Sequence, residues 1–254
     1  MNKYLNLIIF IAVVTVNALA NALPINGQTT GDVSAAYDNY FTPAGFTFSI
    51  WSLIYLSLLV CMIYQLKDRK SSTGESLSKQ TGYILIMNFM ANIGWIYAWH
   101  YALFGGTLLF MTIILITLIV LNMRVDRFSL IVRFSMRLYL GWICVATIAN
   151  IAVVLTWLNW NGGALGGEKW GMILIVIAGI LAVMLSIRKN YLIAAITIAW
   201  GLFGIYMKQQ ESLEWLSYKA ICLVVILMIM IVSVWMALRK QFRKNKISEA
   251  EPAA

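Results

Sequence analysis

Residues Pro43–Tyr55, P-A-G-F-T-F-S-I-W-S-L-I-Y, carry the chain out of a polar loop and into an apolar run dense in aromatic rings. Proline fixes its own φ and biases Thr42 away from helical geometry, so a helix is expected to begin at or just after Pro43. Phe48, Trp51 and Tyr55 then recur at i, i+3 and i+7, which puts three rings in line on one helix face. Two readings of such a face stand side by side: an interfacial aromatic belt with ordinary helix packing, or the wall of a pocket for a flat apolar ligand.

Around this stretch the composition leaves little choice of class. Of 254 residues 61% are hydrophobic and 11% charged, with a mean hydropathy of +0.82, values a soluble domain of this length does not show. The chain therefore reads as an all-α polytopic membrane protein. With roughly 20 apolar residues needed per crossing, the runs at 4–23, 45–66, 81–101, 103–122, 138–159, 170–187, 190–207 and 220–238 predict eight transmembrane helices. Of the 19 Lys and Arg, only Lys169, Lys208 and Lys219 fall on one side of that alternating path. By the positive-inside rule the protein is expected in the cell membrane with both termini cytoplasmic. A miscounted helix would have put later basic clusters on the wrong side. The net charge of +9 is then a mark of topology rather than a nucleic-acid footprint, and the expected partner is the lipid bilayer.

Catalytic signals are sparse. The sequence has no G-x-S-x-G, no phosphate loop, no Cys/His pairing, no paired intramembrane carboxylates and no Asp, Glu, Lys or Arg inside the assigned spans, which disfavours a hydrolase and an ion-driven pump. Cys61, Cys144 and Cys222 lack metal spacing and read as small buried hydrophobes. His100, the single histidine, reads as a hydrogen-bonded or interfacial residue rather than a metal or haem ligand. No catalytic residue and no metal site is assigned.

The polar residues within the spans are more informative. Asn17 and Asn21 share one face of the first helix, where an unpaired amide is costly in lipid, so that face turns to the bundle or to water. Asn88, Asn92, Trp95 and Trp99 form a stripe on the third span, and Trp142, Ala146 and Asn150 another on the fifth. Residues 24–42, about 20 without obvious structure, have the length of a lid or binding loop. In the basic loop 123–137, Arg133 and Arg137 are spaced to lie on anionic headgroups.

Three of these segments resemble the TspO/MBR family, the tryptophan-rich sensory proteins related to the mitochondrial translocator protein. Pro43, Trp51 and Tyr55 match the family's proline-led second helix. Asn92 and Trp95 match an N-x-x-W in the third. Tyr139, Leu140, Trp142, Ala146, Thr147 and Asn150 match Y-L-x-W-x-x-x-A-T-x-x-N in the fifth. Thr42, Gly45, Phe48 and Ser49 stand where the family usually has a second Pro, a Trp and a Gly-Pro.

Beside the three additional transmembrane helices over 161–240 and the cytoplasmic tail over 241–254 that the apolar runs give, the resemblance implies a five-helix core over residues 1–160. It further implies binding of a flat hydrophobic ligand, a porphyrin or other tetrapyrrole or a sterol-like molecule, with no cofactor required and porphyrin or haem as the ligand. Trp51 and Trp142 would flank it, with Phe48, Tyr55, Trp95 and Ala146 around them. Asn92, Asn150 and Asn21 would supply polar anchors, Tyr37 and Tyr40 would close the lid, and Pro43 would set the helix entry. A homodimer is implied as well. Facilitated transport of a hydrophobic solute, light-dependent oxidation of a bound porphyrin, and a structural or signalling role stay open beside it.

Overall fold

The computed structural model describes residues 3–23, 25–67, 69–188, 191–208 and 216–250. Apart from one isolated bridge between Lys70 and Ser76, regular structure among them is helical: α1 Lys3–Ala22, α2 Thr30–Ala36, α3 Ile50–Leu66, α4 Leu77–His100, α5 Phe104–Arg124, α6 Leu130–Trp157, α7 Gly166–Ile187, α8 Leu192–Lys208 and α9 Leu216–Ala250. Six of these, α1, α3 with its preceding turn, α5, α6, α7 and α9, are long and apolar enough to cross a membrane. Helix α4 has the length, at 24 residues, but Asn88, Asn92 and His100 dilute its hydropathy. Helix α8 is apolar throughout and has 17 residues. A helix thus stands at each of the eight expected places, with six meeting the length-and-composition criterion.

Helices α1, α4, α5, α6 and α3 neighbour one another in that order, and α3 returns to α1 through the sparsest contact of the ring. Helices α7, α8 and α9 pack mutually and dock through α8 onto α6. Docking is close because Gly141 of α6 has no side chain: a Cβ there would lie 2.4 Å from the Ala194 carbonyl oxygen. Small residues of this kind let membrane helices meet backbone to backbone, where dispersion rather than hydrophobicity holds them.

Polar side chains join the ring across helices. Asn17 donates to the Asn92 carbonyl oxygen at 2.8 Å, and Asn92 donates to the Tyr139 hydroxyl at 3.3 Å, linking α1, α4 and α6. Asn88 donates to Thr117 Oγ1 at 2.8 Å, linking α4 to α5. Asn17, Asn88, Asn92, Thr117 and Tyr139 are all buried, so each bond replaces the water that the bilayer core would not supply. Cys61, Cys144 and Cys222 are buried and unbridged, as expected.

Four local features differ from the expectations. The helix after Pro43 starts later: Ala44 is extended, a 3-10 turn runs Gly45–Ser49, and regular α-helix begins at Ile50. The cause is tertiary, because the Ala44 N–H donates to the Gly204 carbonyl of α8 at 3.0 Å and the Thr47 carbonyl accepts from the Trp200 indole at 3.1 Å. The loop over 24–42 contains helix α2, opened by a capping box in which Thr29 and Asp32 bond each other's backbone. Those bonds from Thr29 hold the Asp32 carboxyl below its ordinary value. Helix α6 starts at Leu130, so Arg133 and Arg137 lie within it. Arg137 turns inward rather than toward headgroups: it is buried, paired with Asp126, and its guanidinium carbon sits 4.7 Å from the Tyr191 ring centre. Helix α9 continues to Ala250, through much of the expected tail, and 251–254 lie outside the described residues.

Candidate functional site

The aromatic stripes converge. Trp51 stacks on Tyr55 with ring centres 5.3 Å apart, as the i, i+4 spacing on one helix allows, and meets Tyr139 and Trp142 edge-on at 5.8 and 6.3 Å. Phe48 reaches Trp142 edge-on at 6.0 Å, and Trp95 stacks on Trp99 at 5.3 Å. Edge-to-face and offset contacts at these distances are the favoured geometries for aromatic pairs. The rings from α3, α4 and α6 enclose a cavity of about 40 Å³, lined also by Pro43, Ala146, Asn150, Val145 and Val153 and roofed by Ser34 and Thr42.

Three N–H donors on this cavity's walls are buried without a partner in the protein: Trp95 Nε1, Trp142 Nε1 and Asn150 Nδ2. Asn150 is held in place by its other amide atom, whose oxygen accepts from Thr107 Oγ1 at 2.9 Å. A buried donor left unpaired costs about 1–3 kcal/mol. All three belong to residues that line this one small cavity.

On the other face of Phe48 and Trp51 lies a groove of about 500 Å³ between α1 and α3, bordered by Asn17, Asn21, Ser52 and Tyr55. A third space of about 550 Å³, with Asn21, Asp32, Pro43 and Lys208 on its walls, also ends on Phe48. The two rings Phe48 and Trp51 are therefore the partition between a tight inner cavity and the open groove.

Of the residues singled out from sequence, Pro43, Phe48, Trp51, Trp95, Trp142, Ala146 and Asn150 line the inner cavity. Asn21 and Tyr55 border the groove instead. Asn92 lines neither, since both ends of its amide are taken by Asn17 and Tyr139. Tyr37 packs edge-on to Phe104 at 4.7 Å, and Tyr40 packs near Tyr218 on α9, so neither covers the aromatic cavity. The lid residues that do are Ser34 and Thr42. Helix α2 is seated by the Trp99 indole, which donates to the Thr30 carbonyl at 3.1 Å. Trp99 was visible on the α4 stripe, whereas Ser34 carried no signal in the sequence. His100 is buried at the end of α4 with Nδ1 2.8 Å from the Ile96 carbonyl. Among the described residues no cluster of His, Cys, Asp and Glu could hold a metal ion.

Together these features define a multi-pass helical membrane protein with an aromatic, donor-lined cavity inside its helix bundle. The chain belongs to the family of TSPO-like proteins, whose family model matches residues 3–233. That match runs past the first 160 residues, where the motifs lie, through α7 and α8 and into α9. No curated protein and no solved structure matched the chain. Family membership points to a membrane small-molecule-binding or sensory role.

Proposed function

We propose that the chain binds a flat hydrophobic ligand bearing hydrogen-bond acceptors, a tetrapyrrole in preference to a sterol, between Trp51 and Trp142. The observation that carries this is the set of three unpaired donors, Trp95, Trp142 and Asn150, on one aromatic cavity. Carboxylate or carbonyl oxygens of a tetrapyrrole satisfy such donors, whereas a sterol offers a single hydroxyl. At about 40 Å³ the cavity has room for about three waters, well below the roughly 300–1,000 Å³ of a site for a drug-sized ligand. Binding therefore requires Phe48 and Trp51 to swing aside and join the cavity to the groove of about 500 Å³ between α1 and α3. Sparse contact between those two helices makes that face the easiest to open. Because the groove, the cavity and the space beside Pro43 all meet at Phe48, exchange of the ligand between the bilayer and one aqueous face is a second reading, tested by solute flux into proteoliposomes.

The direct test is titration of purified protein with protoporphyrin IX and haem, following tryptophan quenching and the Soret band. Replacing Trp51 and Trp142 together by Leu is expected to cost about 2 kcal/mol of stacking, roughly thirtyfold in Kd. Unchanged affinity in a folded double variant would remove the assignment. The same samples, illuminated, separate binding from light-dependent oxidation: Soret absorption that fades in wild type and persists in the Trp51 variant would mark turnover. We further propose that α4 and α8 also cross the membrane, giving eight crossings in the cell membrane with both termini cytoplasmic, and that the protein forms a homodimer, to be read from its mass in nanodiscs.

A further inference from the structure

A second cavity, of about 370 Å³, lies where the end of α6 and the start of α7 meet the segment after α2. It shares no lining residue with the aromatic cavity, and its size falls within the roughly 300–1,000 Å³ range of small-molecule sites. Its walls combine the rings of Tyr40, Trp160 and Trp170 with the polar side chains of Thr156, Asn159 and Asn161. Trp160 meets Trp170 edge-on at 5.0 Å. Tyr40 lies on a strip of α7 that bears no side chains: a Cβ on Gly167 or Gly171 would approach it to 2.7 or 2.4 Å.

Two features set this cavity apart from an ordinary membrane-interface belt. A belt tryptophan keeps its N–H in interfacial water, but the Trp170 indole N–H is buried with no acceptor in the protein. Beside it the amides of Asn159 and Asn161 are exposed and make no side-chain hydrogen bond among the described residues, which leaves them accessible to a ligand. The carboxylate at the rim, Asp38, is already paired with Lys208, so the lining presents no uncompensated charge.

We propose that this cavity binds the ring of a neutral sugar, either free or carried as the headgroup of a glycolipid. A sugar ring has an apolar C–H face that lies against an indole or phenol ring. Its hydroxyls both donate and accept, as do the two amides, and they accept from an indole N–H. A flat apolar ligand would leave that buried N–H unmet, and the carboxylate on the lining, Asp38, is bound to the Lys208 ammonium.

The test uses full-length protein in phosphatidylcholine nanodiscs, free of sugar-based detergent. One arm titrates glucose, galactose and lactose, following tryptophan fluorescence and saturation-transfer NMR. The other incorporates galactosyl-diacylglycerol and follows the thermal transition and native mass. Saturable binding in the first arm assigns a soluble sugar, and binding confined to the second assigns a lipid-borne one; either supports the site. Trp170→Phe, which keeps the ring and removes the donor, is expected to weaken binding about tenfold, and Trp160→Ala to abolish it, with Asn161→Ala as a milder companion. Absence of binding in both arms by protein with a cooperative thermal transition overturns the proposal, as does equal binding by wild type and all three variants.

Discussion

Asn92 and Asn150 are both buried amides on motif positions, and their surroundings give them opposite work. Asn92 spends its oxygen on Asn17 and its nitrogen on Tyr139, whereas Asn150 spends its oxygen on Thr107 and keeps its nitrogen unpaired. Interhelical hydrogen bonds in membranes contribute about 0.6 kcal/mol on average, up to about 1.7. Asn92→Leu is therefore expected to lower the thermal transition by about 1–2 kcal/mol of stability and to leave ligand affinity near wild type. Asn150→Leu removes one of the donors on the cavity and is expected to weaken tetrapyrrole binding about tenfold, the worth of one hydrogen bond. Paired scanning fluorimetry and Soret titrations check this, and a variant pair with the two effects interchanged would reassign the roles.

Helix α8 holds the turn that carries Phe48, although it contributes no residue to the lining of the aromatic cavity. It takes the Ala44 N–H on the Gly204 carbonyl, gives the Trp200 N–H to the Thr47 carbonyl, and stands Trp200 and Phe203 edge-on to Phe46 at 5.6 and 6.2 Å. Gly204 leaves no room for more, since a Cβ there would lie 2.0 Å from Thr47 Oγ1. The turn Gly45–Ser49, which carries Phe48, is thus held by α8 as well as by Trp142 of the ring of five. Gly204→Ala is expected to displace that turn and cost about 1–3 kcal/mol through overpacking. Trp200→Phe deletes one hydrogen bond, about 1 kcal/mol, while keeping the ring. Both should shift the apparent Kd for porphyrin, measured by Soret titration, with Gly105→Ala as a control whose Cβ meets nothing within 4 Å. Wild-type affinity in both would show that the entry is set within α3 alone.

Across the whole molecule, Arg137 ties the ring to the added helices at the end opposite the 370 Å³ cavity. It is 2% exposed and its partner Asp126 is 48% exposed. Its ring partner, Tyr191, precedes α8 and also lies 5.3 Å from the Arg188 guanidinium carbon. Removing one partner of a buried pair leaves a charge without compensation. Asp126→Asn is expected to cost about 2 kcal/mol after allowing for solvent screening of the half-exposed carboxylate, and Arg137→Met combined with it to recover part of that loss. Chemical denaturation of the single and double variants measures the coupling. The proposed crossing by α4 is checked at the same scale by labelling single cysteines placed in loops 67–76 and 158–165 from either side of sealed vesicles, which are expected to react from opposite faces.

Membrane class, helix order and the aromatic stripes were legible in the chain because they depend on local quantities: hydropathy over about 20 residues and a period of 3.6. Seven of the residues singled out meet at one cavity for that reason, since spacing along a helix dictates which side chains share a face. The remainder depended on contacts between helices distant in sequence. Tyr37 and Tyr40 were equally plausible as lid residues by position, but Phe104 and Tyr218 claim them, and Ser34 reaches the cavity only because the Thr29–Asp32 cap turns its segment into a helix. Arg137 looked like a headgroup residue until Asp126 and Tyr191 supplied buried partners. Which amide stays unpaired follows from the partners that α1, α5 and α6 supply, and the tie between α8 and the turn before α3 follows from the close approach of α8 to α6 and to Thr47. That approach rests on the absent side chains of Gly141 and Gly204, and an absent side chain has no hydropathy or period to announce its neighbour.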